Sequence, residues 1–220
     1  MAVAALVIFV LFVLVAGGAR AVIQYRRTGD TGIRQFRTPI GSHQWWAHWG
    51  FVAGGLITGL AAPLADLAGL VPIPFADHGV VAVAGVIVAS TGVVATFAAQ
   101  LAMGASWRIA VDDTERTQLV TTGVFALVRN PIFTATLTAF AGLAAMVPNL
   151  IALTGYTLLV LGIQLQVRTV EEPYLRRIHG PAYTTYTTRT GRFVPGIGRH
   201  PNPTPLVRRN SGEPSPRGNR

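Results

Sequence analysis

The sequence predicts an all-α, polytopic membrane protein with about five transmembrane helices, the last two a short helical hairpin, plus a cytoplasmic C-terminal helical cap. Three observations carry this. Half of the 220 residues are hydrophobic, only 12% are charged and the mean hydropathy is +0.45, whereas a soluble domain covers its surface with about 25% charged residues. Uncharged apolar stretches recur at the length needed to cross a bilayer core, about 20 residues. All 18 cationic residues are Arg, and they gather in a few segments. The absence of Cys excludes disulfides, thiol nucleophiles and cysteine-bound metals.

The first stretch, residues 1–19, is uncharged and ends at Arg20, Arg26 and Arg27. No basic residue precedes it, so a retained span is expected rather than a cleaved signal. The second opens with the interfacial aromatics Trp45, Trp46 and Trp49 and runs to about residue 65. The third covers residues 79–103. The fourth, residues 131–167, would reach about 55 Å as one straight helix, nearly twice the hydrocarbon thickness. Pro148-Asn149 falls near its middle and reads as a turn, so two short antiparallel spans are expected.

With five spans every Arg falls on one side, while the 66–78 loop carries two Asp and no Arg. The positive-inside rule then places the N-terminus outside and the C-terminus in the cytoplasm. The +9 charge is thus topological first, with anionic lipid headgroups as a secondary partner; no nucleic acid is implied. The compositional bias towards Ala, Gly, Val and Arg without Lys points to a bacterial cytoplasmic (inner) membrane. Three regions are expected: 1–103 for the first three helices, 104–195 for a polar loop, the hairpin and the cap, and 196–220 for a disordered Pro/Arg-rich tail.

Polar groups crowd the cytoplasmic ends of these spans. His43, His48 and His78 are scattered without carboxylates at ligand spacing, so no metal is expected. Arg129-Asn130-Pro131-Ile132-Phe133 enters the fourth span, and Glu171-Glu172 leaves the fifth. A hairpin returns the chain to the face it left, so the two clusters become neighbours. Each also has a plainer reading. Asn130-Pro131 makes an N-cap with Pro at the first helical position, Arg129 an interfacial anchor, and the Glu pair a surface charge cluster. Gln100, Trp107 and Arg108, at the end of the third span, wall a substrate pocket or anchor the helix at the interface.

The order LVTTGVFALVRNPIF, an apolar hairpin, then EEPYLRRIHGPAYTTYTTRTGRFVP resembles the integral membrane methyltransferases of the isoprenylcysteine carboxyl methyltransferase and phospholipid methyltransferase superfamily. The likeness covers about residues 100–195. Asn130 stands where the family has His, Phe133 where it has its second Tyr, and Gly123-Val124-Phe125 lacks the Tyr of the first motif.

The resemblance implies an S-adenosylmethionine-dependent methyltransferase acting on a lipophilic or membrane-embedded acceptor, a carboxylate being favoured because it needs no base. Cofactor contacts are expected from Leu119, Val120, Gly123, Arg129, Asn130, Pro131, Phe133, Glu171, Glu172 and Tyr183, with Arg129, Glu171 and Glu172 central to catalysis. Arg129 suits a bidentate clamp on the methionine carboxylate, and a Glu suits the ammonium or ribose. Gln100, Trp107 and Arg108 are expected on the acceptor side. The alternatives are an NADPH-dependent membrane reductase and an inactive membrane binding protein.

Overall fold

The computed structural model describes residues 1–31, 38–74, 76, 78–107 and 118–200. Among these the chain is all-helical, with a single isolated bridge between Val128 and Gly191 and no strand. The helices are α1 (Ala2–Thr28), α2 (His43–Leu67), α3 (Gly79–Ala102), α4 (Val124–Leu127), α5 (Pro131–Met146), α6 (Leu150–Leu165) and α7 (Glu172–Arg189). α1, α2, α3 and the run from α6 into α7 are long and apolar enough to cross a membrane, and α5 is a shorter apolar helix. Val80, Ile87 and Leu161 are 82%, 63% and 60% exposed, an outer surface suited to lipid rather than water.

α1 is longer than its uncharged stretch. It ends where Gly29, at φ 73°, turns left-handed and donates its N–H to the Tyr25 carbonyl. Arg20, expected in the first loop, therefore lies within the helix and is fully buried. Its guanidinium stacks 4.4 Å from the Trp107 ring and donates to the carbonyls of Gln100 and Gly104. These contacts replace the hydration that would otherwise hold an Arg at the interface.

Three π-helical turns interrupt the spans, at Val13–Ala19, Ile57–Ala61 and Gln166–Glu171. The second precedes Pro63, whose missing N–H breaks the α-helical ladder. α2 starts at Ser42, whose hydroxyl accepts the Trp45 N–H at 3.1 Å.

The hairpin expected at Pro148-Asn149 is present: α5 and α6 have 16 residues each. The Asn149 side chain accepts the Ala152 N–H at 2.9 Å and donates to the Ala62 carbonyl at 3.1 Å, capping α6 and tying it to α2. α5 packs chiefly on α3 and α6 on α2. Close approach depends on small residues. A Cβ on Gly92 or Gly142 would strike the facing backbone of Ala139 or Ala89, and one on Gly54 or Gly162 would do the same across α2–α6. Phe9 and Phe12 of α1 close the core on the Phe140 ring at 6.2 and 5.2 Å.

α6 continues through the last π turn into α7, so the fifth span and the cap form one helical run, broken at Gly180 (φ 48°) before Pro181. The expected boundary at residue 196 is not where packing stops. Residues 190–200 fold back across the cap as a strap held at Gly191, Arg192, Phe193, Gly198 and His200. Backbone hydrogen bonds order this Pro- and Gly-rich piece without apolar periodicity. The rest of the expected tail, 201–220, lies outside the described residues.

Candidate functional site

Two features meet at the Arg-rich end of the bundle: an ionic clasp and a cavity beside it. Glu172, 5% exposed, is the centre of the clasp. Its Oε1 accepts from Arg129 at 2.8 Å and from the Arg192 Nε at 2.7 Å, and its Oε2 accepts from Arg192 at 2.9 Å. Arg129 also donates to the carbonyls of Thr187, Thr190 and Gly198. The neighbouring backbone repeats the attachment: the N–H groups of Arg129 and Asn130 reach the carbonyls of Gly191 and Arg192 at 2.8 and 3.1 Å. The two guanidinium groups hold the Glu172 carboxyl down at about 2, against the opposing effect of its burial.

The bidentate ligand clamp expected of Arg129 is not the arrangement found. Both terminal nitrogens are engaged within the protein, and its Nε is buried without a hydrogen-bond partner. Asn130 does not cap α5 either: its side chain donates to the Arg192 carbonyl at 3.1 Å. The first-turn amides of Ile132 and Phe133 therefore have no Asn130 cap.

The cavity, about 440 Å³, lies between α1, α2, α3, the start of α5 and the cap. Leu119, Val120, Arg129, Asn130, Pro131, Phe133, Glu171 and Tyr183 line it, as do Gln100 and Trp107. Two expected residues do not. Glu172 is turned into the clasp, and Gly123 sits outside, where its φ of 59° makes the turn into α4. Arg108 lies outside the described residues.

Consecutive positions on one helical run point in different directions, so the two glutamates separate. Glu171 borders the cavity, where Gln166 donates to it at 3.4 Å. Low-dielectric surroundings, with the Glu172 charge adding to them, push its carboxyl up to about 7 despite that hydrogen bond. Tyr183 and Tyr186, on the same lining, form a buried edge-on pair at 6.1 Å, and the Tyr186 hydroxyl donates to the Phe125 carbonyl. Burial raises both phenols, Tyr186 to about 12, so they stay neutral donors.

The sequence reading missed His48, Phe51, Thr96 and Gln166 on the cavity wall, and the parts of Arg20 and Arg192 in supporting it. Gln100 donates from Nε2 to the Ala16 carbonyl at 3.0 Å, inside the first π turn, and its Oε1 is buried without a partner. A misplaced span end, at Ala19, concealed the Arg20 contribution. The helix periodicity that puts His48 and Phe51 on one face was available in the sequence.

Residues 80–182 match the family model described as phospholipid methyltransferase (PEMT), just under half of the chain. No curated protein and no solved structure matches significantly. The matched stretch contains most of α3, the cavity loop, the hairpin, Glu171, Glu172 and the first half of α7. From α3 to the cap the chain resembles the phospholipid methyltransferase family, within the membrane methyltransferase superfamily indicated by its loop and cap motifs.

Proposed function

We propose that this chain is an S-adenosylmethionine-dependent methyltransferase that modifies a lipophilic acceptor reaching the cavity from the bilayer of a bacterial inner membrane. One observation supports it above the rest. The loop, the α5 entry and the cap, which carry the family likeness, converge on one cofactor-sized cavity with a carboxylate at its polar end.

The residues present fit the cofactor. Glu171 offers a carboxylate for the ammonium or the ribose. The buried Arg129 Nε and the uncapped amides of Ile132 and Phe133 form an anion-favouring helix terminus for the methionine carboxylate. Phe12, Val13, Phe51 and Met103 give the remaining wall an apolar character. When bound, the cofactor supplies an electrophilic methyl group. The protein aligns the acceptor with it and excludes water. Glu172 and Arg192 act as positioning residues, holding Arg129 and the strap over the site. The family likeness of residues 80–182 supports the methyltransferase reading and lends nothing to the reductase alternative.

The experiment is binding of S-adenosylhomocysteine to the purified protein in detergent. Glu171→Gln should weaken it by about 1.5–3 kcal/mol, the worth of a charged hydrogen bond. Wild-type affinity should also rise from pH 6 to pH 8 as Glu171 ionises, and the variant should lose this dependence. No binding by the wild type, or an unchanged affinity and pH profile in the variant, defeats the reading.

A further inference from the structure

The wall of the cavity away from the cap bears on which atom receives the methyl group. α2 and α6 run antiparallel in contact, Gly162 lying against Gly50 and the Ala47 carbonyl while Gly155 meets Thr58. One helical turn is about 5.4 Å, so Gln166, four residues past Gly162, stands about level with Trp46 and Ala47, next to His48 in the chain. His48, Gln166 and Glu171 border the same cavity. Phe51, one turn from His48 on the same face, meets the Phe133 ring at 6.4 Å. His48 therefore sits between the carboxylate end and the aromatic Phe51–Phe133 end of the wall.

Across the cavity, the Gln100 amide has a fixed orientation. The Ala16 carbonyl can only accept, so the amide nitrogen must face it and the unpartnered oxygen remains as an acceptor. Among the described residues of the lining Arg129 is the one Arg, and its terminal nitrogens are taken up by Glu172 and by the Thr187, Thr190 and Gly198 carbonyls, which leaves its Nε for the methionine carboxylate. An imidazole, an amide oxygen and a carboxylate suit a ligand that brings hydrogen-bond donors. A carboxylate acceptor, expected from the sequence, would set its lone pairs against those of the Gln100 oxygen and Glu171, while the imidazole can donate as well as accept.

Resting on the methyltransferase reading, we propose that His48 is a catalytic base and that the acceptor is a lipophilic molecule whose nucleophilic nitrogen, oxygen or sulfur carries a hydrogen. The acceptor lone pair forms the bond to the methyl carbon. The carbon–sulfur bond breaks, and its electron pair stays on sulfur as a neutral thioether. The acceptor proton passes to an unprotonated nitrogen of His48, so the positive charge lost at sulfur reappears on the imidazolium. α2 lies outside residues 80–182, and acceptor chemistry is thereby set by the N-terminal half of this chain.

The test uses the full chain in detergent with four probes, dodecylamine, dodecanethiol, 1-dodecanol and dodecanoate, under labelled S-adenosylmethionine. The same probes are titrated without cofactor by thermal shift. At least one hydrogen-bearing probe should be methylated and should raise Tm, and dodecanoate should do neither. His48→Gln and His48→Asn should lower turnover about 100-fold and weaken that probe's cofactor-free binding at least about fivefold. Their S-adenosylhomocysteine affinity should stay within about twofold, which also reports folding. His48→Ala should regain turnover with added imidazole. Methylation of dodecanoate ahead of the other three, turnover of none of those three, or near-wild-type rates in both His48 variants overturns the inference. Failure of the wild type to bind S-adenosylhomocysteine overturns the methyltransferase reading instead.

Discussion

Glu171 and Glu172 are adjacent in sequence but have opposite electrostatic roles. Glu172 gives its charge to two guanidinium groups, so replacing it leaves Arg129 buried and uncompensated. Glu172→Gln should therefore destabilise by about 3–5 kcal/mol, as expected for breaking a buried pair, measured by thermal unfolding in detergent. The pH dependence follows from a carboxyl held at about 2 against its ordinary 4.5. Its stabilisation is complete above pH 4.5 and is lost as pH falls from there through 2. Glu171 has the opposite sign. A carboxyl raised to about 7 favours the native state below 4.5, and the penalty on its ionised form grows as pH rises through 7. Glu172→Gln should remove the acid-limb dependence, while Glu171→Gln at pH 8 should leave stability equal or higher. A similar loss in both variants would show that the pair acts as one cluster. Sequence order alone located the pair, but the division of labour depends on the rotation of the helical run at the Gln166–Glu171 π turn. Asn130 makes the same point: Asn-Pro before a helix reads as a cap, yet a carbonyl of the returning strap claims its side chain.

At the level of elements, the bundle is set by where helices can approach rather than by how apolar they are. Spans and hairpin were legible because charge gaps and the Pro148-Asn149 turn are local features. The pairing of α5 with α3 and of α6 with α2 was not, since each depends on small residues far apart in sequence, such as Gly92 with Ala139 or Gly54 with Leu159. Two of the three π turns were equally hidden. Pro63 marks the second, but no residue type announces the other two, and it is these that contribute cavity wall, one of them exposing the Ala16 carbonyl to Gln100. Gly142→Leu should force α5 from the Ala89 backbone and cost at least about 1–3 kcal/mol. Because α5 carries Asn130 to Phe133 at its start, S-adenosylhomocysteine binding should fall with it. Gly18→Ala, where a Cβ meets nothing within 4 Å, is the control and should be silent in both measurements. Full binding by a normally folded Gly142→Leu protein would uncouple the α3–α5 contact from the site.

For the whole molecule, the ends of the bundle differ in chemistry as well as position. At one end the Ile73 N–H donates to the Pro148 carbonyl at 2.7 Å, joining the α2–α3 loop to the hairpin turn. At the other lie Arg20, Arg129, Arg168, Arg192 and the strap. A bilayer potential with the usual bias retains Arg on the cytoplasmic side, so the cavity and clasp should face the cytoplasm, where the proposed cofactor is made. The chain has no Cys, and single cysteines can therefore be read without a background. Val71 and Ile197 are 77% and 67% exposed, one at each end. In intact cells a membrane-impermeant maleimide should label Val71→Cys, and Ile197→Cys should react only after permeabilisation. Labelling of both from outside would refute the crossing pattern. Reversal of the two would keep the bundle and invert the protein, placing the cavity away from any cytoplasmic methyl donor.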